Sequence, residues 1–360
     1  MSFFPRFSSL LLASVLGVSA QAASATPLPP PKDQPSPDSP AYIAEDPHLS
    51  SLIGKPAPAL LLKTLDGQDI DLSRFYGRQP VYLKLWATYC IPCRAQMPGF
   101  EKLYGTYKDR IHIIAVDVGF GENRNKVATF AEHAGLTMPV VMDDGSLSNW
   151  LHIKATPLHV LIDRNGHIAY VGHQDGAALE TALEKVVNTP RSTDKIQLST
   201  TQHRTSLQIG QKVPHIDLPD ATGHATNLVS NNSRVPQAIF FGATWCESYL
   251  NTVEPETAQA CKHARITLQT LAQDHHLKWT AVAAHLWTEL SDLPAYQTLL
   301  GPELPVVLDT DGLAFDTFGV TQIPAVALID STGHLKRLLD ARQRDIASQI
   351  QSFIRSSAKH

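Results

Sequence analysis

A series of similar segments occurs twice in this 360-residue chain in the same order, and this internal repeat constrains the fold more than any other feature. The matched segments are residues 53–58 with 209–214, 86–90 with 242–246, 138–143 with 304–309, and 156–166 with 323–333. One such match can arise by chance, but an ordered series with a slowly growing offset does not. The chain is therefore predicted to contain two copies of one domain, at residues 52–188 and 207–356, joined by a linker at 189–206.

Composition agrees with two folded domains and excludes one class of partner. Apolar residues make up 43% of the chain, enough to fill two cores, so a largely disordered chain is excluded. At about 100–200 residues per domain, a chain of this length fits two domains. The formal net charge is −4, so no basic surplus is available to neutralise a phosphate backbone. Nucleic acid is therefore not expected as a partner.

The first 22 residues have the pattern of a secretory signal peptide. Arg6 precedes an apolar run at residues 10–18, and alanines at 20 and 22 suit a cleavage site. The run is about half of the ~20 residues that a membrane-spanning helix needs, so no stable membrane insertion is expected. Residues 23–51 are rich in proline and are predicted to form an extended linker. The sequence thus predicts an exported, soluble protein, periplasmic in a Gram-negative source.

Short apolar strands alternate with helical segments in each copy. In the first copy, strands are predicted at 81–86, 111–118, 157–162 and 168–171, and helices at 93–107, 126–134 and 177–187. This alternation favours an α/β fold in which helices cover both faces of a mixed sheet.

Two of the four cysteines, Cys90 and Cys93, stand three positions apart after a predicted strand. The segment Trp-Ala-Thr-Tyr-Cys-Ile-Pro-Cys-Arg at 86–94, with Thr-Pro at 156–157 and Ile-Asp-Arg-Asn-Gly at 162–166, resembles the thioredoxin superfamily. Within it, the chain is similar to the exported TlpA-like thiol–disulfide oxidoreductases. The resemblance covers about residues 52–188 and, more weakly, 207–355. It implies two tandem thioredoxin-like folds, each a central mixed β-sheet flanked by helices.

The predicted strand end and the following helix place Cys90 at a helix N-terminus. Unpaired N–H groups and the helix dipole stabilise a thiolate there, and thiols in such motifs have pKa values lowered from ~8.5 to between ~3.5 and ~7.5. Cys90 is therefore predicted to attack a substrate disulfide, and Cys93 to displace the substrate. The alternatives are a structural disulfide or half of a zinc site. A zinc site needs further ligands at matching spacing, and the family landmarks are against it, so neither metal nor cofactor is expected.

The resemblance implies substrate-binding roles for three further residues. It implies that Pro157 follows a cis peptide bond and faces the dithiol, whereas the alternative is an ordinary trans proline at the start of a strand. It also implies that Thr156 offers its backbone to an extended substrate segment. Trp86 is assigned to substrate binding with them.

Lys84 is a candidate tuning residue, because it stands six residues before Cys90, where thioredoxins usually carry a buried acid. A protonated lysine close to the dithiol would favour the thiolate. The alternative is that its ammonium group extends to solvent from a partly exposed strand end. Gln96 occupies a place where TlpA-like proteins often have Glu, and His159 and His173 are expected to be surface or packing residues.

The second copy departs from the pattern, because Cys246 matches the first cysteine of the motif but Tyr249 stands in place of the second. About ten extra residues lie around its first helix, and Cys261 is among them. On one continuous helix fifteen residues span ~22 Å, far beyond the ~4.4–6.8 Å between the Cα atoms of a disulfide. Glu254-Pro255 interrupts that helix, which makes a structural Cys246–Cys261 disulfide feasible. A redox role for this pair and two free thiols are the alternatives.

Two other classes of function fit less well. A peroxiredoxin-like peroxidase needs Pro and Thr before its cysteine, where the first copy has Leu83 and Ala87 and the second has Ile239 and Ala243. A copper-binding or scaffold module would need a wider cysteine spacing and a dedicated histidine.

The sequence therefore predicts an enzyme that exchanges disulfides with exported proteins through Cys90 and Cys93. Cytochrome c maturation is the setting that the resemblance suggests. The expected partners are exported proteins with disulfides or dithiols and a membrane or soluble redox partner. The second copy is expected to be non-catalytic, docking a partner or orienting the first domain.

Overall fold

A computed structural model describes residue 1 and residues 47–193, 196–199, 206–230, 233, 235–273 and 275–357. The predicted signal peptide, beyond Met1, and the linker up to residue 46 lie outside the described residues. From residue 47 onward, the described residues belong to one compact unit. None of the helices in this part of the chain has both the length and the apolar character needed to cross a bilayer.

The first half of the chain folds around a five-stranded mixed sheet. Its strands are β3 (Val81–Trp86), β4 (His112–Asp117), β5 (Val140–Met142), β6 (Leu158–Ile162) and β7 (Ile168–Gly172), after a hairpin of β1 (Leu61–Lys63) and β2 (Asp69–Asp71). Its helices are α1 (Pro47–Leu52), α2 (Ile91–Tyr107), α3 (Arg124–His133), α4 (Ser146–Leu151) and α5 (Ala177–Val187). The strand order is β5-β4-β3-β6-β7, with β3 parallel to β4 and antiparallel to β6.

The second half contains a sheet of the same topology. Its strands are β10 (Gln237–Gly242), β11 (Lys278–Ala284), β12 (Val306–Asp309), β13 (Ala325–Ile329) and β14 (Leu335–Asp340), after a hairpin of β8 (Asp217–Pro219) and β9 (Ala225–Asn227). Its helices are α6 (Leu250–Val253), α7 (Pro255–Ala272), α8 (Leu293–Leu300), α9 (Leu313–Phe318) and α10 (Ile346–Ser357). The order β12-β11-β10-β13-β14 repeats that of the first sheet, so the chain has two tandem thioredoxin-like folds.

The central strands are buried along their whole length, which is why they are nearly continuous apolar runs. Alternate residues of β10 face different cores. Ile239 and Phe241 belong to a core that continues into the first fold, whereas Ala238 and Phe240 pack in a separate core with α7. The two folds are therefore joined by a shared apolar core as well as by the linker.

Two predictions about the connecting segments have opposite outcomes. The predicted linker is wrong at its C-terminal end, because residues 47–51 belong to α1 and bury Leu49 and Leu52 at 4% and 6% exposure. Leucines three positions apart share one face of a helix, so they can pack together on the first fold. The predicted interruption in the second fold is confirmed, because the extended φ of −146° at Glu254 separates α6 from α7.

Candidate active site

Cys90 and Cys93 form a disulfide at the N-terminus of α2, with their Cα atoms 5.2 Å apart. Cys90 is the N-cap residue, and its sulfur accepts a hydrogen bond from the Cys93 N–H at 3.2 Å. Pro92 lies in the first turn, where the missing N–H costs no helical hydrogen bond. The helix end thus presents N–H donors and the positive end of its dipole to the Cys90 sulfur. Both cysteines are 0% exposed.

The sheet register brings Thr156 and Pro157, called the proline loop below, to the same place. Leu85 on β3 is paired with Leu158 on β6, so Pro157 lies beside Trp86, four residues before Cys90. The peptide bond before Pro157 is cis, as the resemblance implied. The strand ends therefore bring together the dithiol and the proline loop, which are far apart in sequence.

Thr156 and Trp86 are both fully buried in this arrangement. The Trp86 ring packs against Phe130 of α3, with ring centroids 5.1 Å apart. Their roles in substrate binding stay predictions.

Lys84 lies in the middle of β3 and is 0% exposed, so the alternative that its ammonium group extends to solvent is wrong. Its Nζ donates a hydrogen bond to Gln96 Oε1 on α2 at 2.6 Å. Burial lowers the pKa of Lys84 to about 7, while the charge of Asp175 acts in the opposite direction. Near neutral pH this amine can therefore gain or lose a proton inside the core.

Gln96 links Lys84 to two histidines. Its Oε1 lies 3.2 Å from His159 Nε2, and His159 Nδ1 lies 2.6 Å from the Tyr82 hydroxyl. The Gln96 amide donates to the His173 carbonyl at 3.2 Å. This network, in which Tyr82, Lys84 and His159 are buried and Gln96 and His173 are half-buried, is called the buried polar chain below.

The buried polar chain reaches the proline loop, because His173 Nδ1 lies 2.7 Å from the Pro157 carbonyl oxygen. Burial holds the pKa of His159 well below its ordinary value, and the charge of Lys84 lowers it further. These residues were not predicted from the sequence to form a network. One feature of the sequence could have indicated that two of them are close together. Lys84 and His159 are polar residues within two apolar strands, and the structure pairs them directly across the sheet.

Buried carboxyl groups form a second cluster that the sequence analysis missed. Glu122 Oε1 accepts a hydrogen bond from the Thr88 N–H at 2.6 Å, two residues before Cys90. Burial raises the pKa of Glu122, and the charge of Lys126, 2.8 Å away, partly offsets this. Burial also raises the pKa of Asp117 well above its ordinary value, and the charge of Glu122 adds to that shift. The loop before the dithiol therefore rests on acids that hold protons more tightly than usual.

The second fold contributes Tyr249 and Glu254 to this region. The Tyr249 hydroxyl accepts a hydrogen bond from the Ile91 N–H at 3.0 Å and donates one to the Tyr89 carbonyl at 2.8 Å. It thereby binds the residues on either side of the first cysteine. Glu254 forms an ion pair with Lys126.

Cys246 and Cys261 are also joined in a disulfide, with their Cα atoms 6.3 Å apart. Cys246 follows β10 as Cys90 follows β3, and Cys261 lies on α7. Both are buried, at 2% and 5% exposure. The loop that this bridge closes contains Tyr249. Within the described part of the chain, no group of three or more His, Cys, Asp or Glu side chains is placed to hold a metal ion.

Part of the chain is similar in sequence to known proteins. Residues 53–171 match the family model described as the AhpC/TSA family. The thiol-disulfide oxidoreductase ResA of Geobacillus kaustophilus is 36% identical over 138 residues, which cover 37% of this chain and 78% of the relative. The ResA of Halalkalibacterium halodurans is 38% identical over 134 residues, covering 37% of this chain and 73% of that protein.

A solved structure is also similar to part of the chain. It is the thioredoxin domain of a thiol-disulfide oxidoreductase from Bacteroides vulgatus, 26% identical, covering 38% of this chain and 98% of that one with a TM-score of 0.34. Both relatives are more than 30% identical to the chain over more than two thirds of their own length, and the structure has the two predicted sheets, so the chain belongs to the TlpA-like thiol–disulfide oxidoreductases of the thioredoxin superfamily.

Proposed function

We propose that Cys90 is the attacking sulfur and Cys93 the resolving sulfur in disulfide exchange with exported proteins. The observation that carries this proposal is the position of Cys90 as the N-cap of α2, where its sulfur accepts the Cys93 N–H. The same donors and the helix dipole lower the free energy of a Cys90 thiolate once the bridge is reduced.

The reaction passes two electrons in two successive thiol–disulfide exchange steps. The Cys90 thiolate attacks a substrate disulfide, forms a mixed disulfide and releases one substrate thiolate. The Cys93 thiolate then attacks the Cys90 sulfur, forms the Cys90–Cys93 bridge and releases the second substrate thiolate. The substrate is reduced and the chain oxidised; the reverse sequence oxidises a dithiol substrate.

Three residues of the proline loop and strand end complete the proposed substrate site. Pro157 and Thr156 would hold an extended substrate segment through the backbone, with Trp86 behind them. The register of β3 against β6 supports this assignment, because it places the loop beside the strand that leads to Cys90.

Lys84 is proposed to tune the dithiol from within the buried polar chain. Its pKa of about 7 gives it a neutral and a charged form near neutral pH, and the charged form favours a thiolate. If so, Lys84→Ala raises the pKa of the Cys90 thiol, and an unchanged pH profile of Cys90 alkylation would refute this role.

Cytochrome c maturation in the periplasm is the setting that we propose. The resemblance to exported TlpA-like proteins and the signal-peptide pattern of residues 1–22 support it. The redox partner would be a membrane or soluble protein that returns Cys90 and Cys93 to the reactive state.

Cysteine substitutions test the proposed function directly. Cys93→Ala should trap substrates as mixed disulfides on Cys90, detected by non-reducing electrophoresis and mass spectrometry of periplasmic extracts. Cys90→Ala should trap none and should lose insulin reduction. The Cys246→Ser/Cys261→Ser double variant is the matched control, because it removes the other bridge, leaves Cys90 and Cys93 in place and should not lower this activity. Full activity of Cys90→Ala would overturn the assignment.

A further inference from the structure

The active-site ends of the two folds face each other, and equivalent residues meet where they touch. Tyr89 and Trp245 each precede the first cysteine of their fold, and their ring centroids lie 5.5 Å apart. Asn149 and Asp316 occupy equivalent positions on α4 and α9 and are hydrogen-bonded to each other. Each pair thus joins one position of the fold to its own counterpart.

Two backbone hydrogen bonds between the folds are equivalent to each other, with the roles of the two folds exchanged. The Gly121 N–H donates to the Thr321 carbonyl at 2.9 Å, and the Trp287 N–H donates to the Lys154 carbonyl at 2.7 Å. By the offsets of the repeat, Trp287 is the counterpart of Gly121, and Thr321 is the counterpart of Lys154. In a two-fold symmetric dimer, residue i contacts j while j contacts i. The contact between the folds therefore has the pattern of a symmetric dimer formed within one chain.

This interface covers the dithiol of the first fold. The Tyr249 hydroxyl binds Tyr89 and Ile91, and both Cys90 and Cys93 are 0% exposed. Disulfide exchange requires a sulfur of the substrate to approach the attacking sulfur directly. A protein substrate cannot make that approach while the second fold occupies this face.

The segment of the second fold that lies over the dithiol is held at both ends by the Cys246–Cys261 disulfide. Tyr249 and Glu254 both lie in the loop closed by the Cys246–Cys261 bridge, and both contact the first fold beside its dithiol. The bridge ties the strand end at Cys246 to Cys261 on α7, so both ends of the segment that carries Tyr249 and Glu254 are fixed. The bridge therefore helps to present Tyr249 and Glu254 to the first fold.

We infer that the dithiol face of the first fold is a docking surface for a thioredoxin-like fold, and that the second fold occupies it as an internal partner. A protein substrate therefore reaches Cys90 only after the second fold has moved away. The inference rests on the proposed function, in which Cys90 is the attacked and attacking sulfur. It adds that access to Cys90 is set by an equilibrium between a closed and an open arrangement of the two folds.

Because Asn149 and Asp316 occupy equivalent positions, the inference can be tested by swapping these two side chains. Asn149→Asp opposes two carboxylates where an amide now donates to one, and their repulsion should favour the open arrangement. The double variant Asn149→Asp/Asp316→Asn restores an amide–carboxylate pair with the partners swapped. Asn227→Asp is the matched control, because among the described residues its side chain accepts one hydrogen bond, from the Val229 N–H, and a carboxylate can accept the same bond.

The readout is the rate at which reduced glutathione opens the Cys90–Cys93 bridge of the oxidised full chain at about pH 8. Samples are quenched in acid and alkylated, and the peptide that contains both cysteines is followed by mass spectrometry. We expect Asn149→Asp to accelerate reduction about fivefold or more, since the repulsion replaces an attraction. The swapped variant and Asn227→Asp should stay within about twofold of the wild type.

A second variant keeps the test decisive if Asn149→Asp fails to fold. Trp287 packs on Tyr89, Trp245 and Tyr249 with centroid distances of 5.6, 5.2 and 5.3 Å, and its φ of 53° suits glycine. Trp287→Gly should therefore loosen the cover without backbone strain and accelerate reduction as well.

The possible results distinguish control of access by the second fold from the proposed role of Cys90 in disulfide exchange. If folded Asn149→Asp and Trp287→Gly are both reduced at the wild-type rate, the second fold does not control access and the inference is overturned. A rate in the swapped variant that stays as high as in Asn149→Asp also overturns it. Neither result affects the role of Cys90, which is judged by the activity of Cys90→Ala.

Discussion

Replacing Lys84 with methionine should remove about 2.5 kcal/mol of stabilisation that the protein gains between pH 7.5 and pH 9.5. Lys84 is fully buried on β3 and its amine donates to Gln96. Burial lowers its pKa from an ordinary value of 10.5 to about 7. Methionine is an unbranched apolar side chain of similar length, so it can fill the same space without a charge.

The magnitude follows from the two pKa values. Between about pH 7 and pH 10.5, the unfolded chain holds a proton on Lys84 that the folded chain has released, so the free energy of unfolding rises with pH. One such proton gives a slope of about 1.4 kcal/mol per pH unit, which integrates to about 2.5 kcal/mol from pH 7.5 to pH 9.5. Asp143 and Asp309, whose pKa values burial raises to about 6 and about 7, titrate mostly below this range.

Urea unfolding at several pH values in this range measures the effect on the oxidised protein. Across the range, the wild type should gain about 2.5 kcal/mol more than Lys84→Met, because the other titrating groups are common to both. Lys102→Met is the matched control, because Lys102 is an exposed lysine on α2 and should leave the wild-type slope intact. Parallel pH curves for the wild type and Lys84→Met would refute a neutral Lys84 in the fold.

Three further predictions concern stability. The Cys246→Ser/Cys261→Ser double variant should lower the free energy of unfolding in urea by about 3 kcal/mol, because the bridge no longer restricts the unfolded chain. Lys126→Met should lower it by about 3 kcal/mol, since the buried Glu122 loses its cation, and an added Glu122→Gln should recover part of the loss. For Asp309, burial raises the pKa to about 7, so the folded chain binds the extra proton and the contribution of this group to stability should fall by about 2.5 kcal/mol from pH 4.5 to pH 6.5. Asp309→Asn should lose this component in urea titrations.

Each of these predictions can fail clearly. An unchanged urea midpoint for the double cysteine variant would show that the bridge does not constrain the unfolded chain. If Glu122→Gln worsens Lys126→Met, the cost does not come from an unpaired carboxylate. If Asp309→Asn keeps the full acid-range slope, another group is responsible for it.

Much of the fold was predictable because strands and helices are encoded locally. The strand at 81–86 and the helix at 177–187 were predicted with the bounds that the structure has, since a buried apolar run and a helical spacing of leucines each lie within one segment. The helix after Cys90 begins at Ile91 rather than at residue 93, because Pro92 is compatible with the first turn. The end of the N-terminal linker was the error, because its proline-rich composition concealed the two leucines of α1.

The burial of the Lys84 side chain could not be predicted from the residues next to it in the sequence. Its alternatives stayed open because a lysine in an apolar strand can extend to solvent or stay inside, and the surrounding segments decide which. Here Gln96 from α2 and His159 from β6 surround it, and both are far away in sequence. The position of Glu122 could not be predicted from local patterns either, because it accepts a hydrogen bond from the N–H of Thr88, 34 positions earlier in the chain.

The sequence by itself determined that this chain has two thioredoxin-like folds and that Cys90 begins a helix with Cys93 one turn further on, because both properties depend on neighbouring residues. Only the tertiary structure decided that Tyr249, which replaces a cysteine in the second fold, lies against the dithiol of the first. Its hydroxyl reaches residues about 160 positions away. Such a contact depends on how two complete folds pack, and the packing is set by complementary surfaces rather than by any one segment.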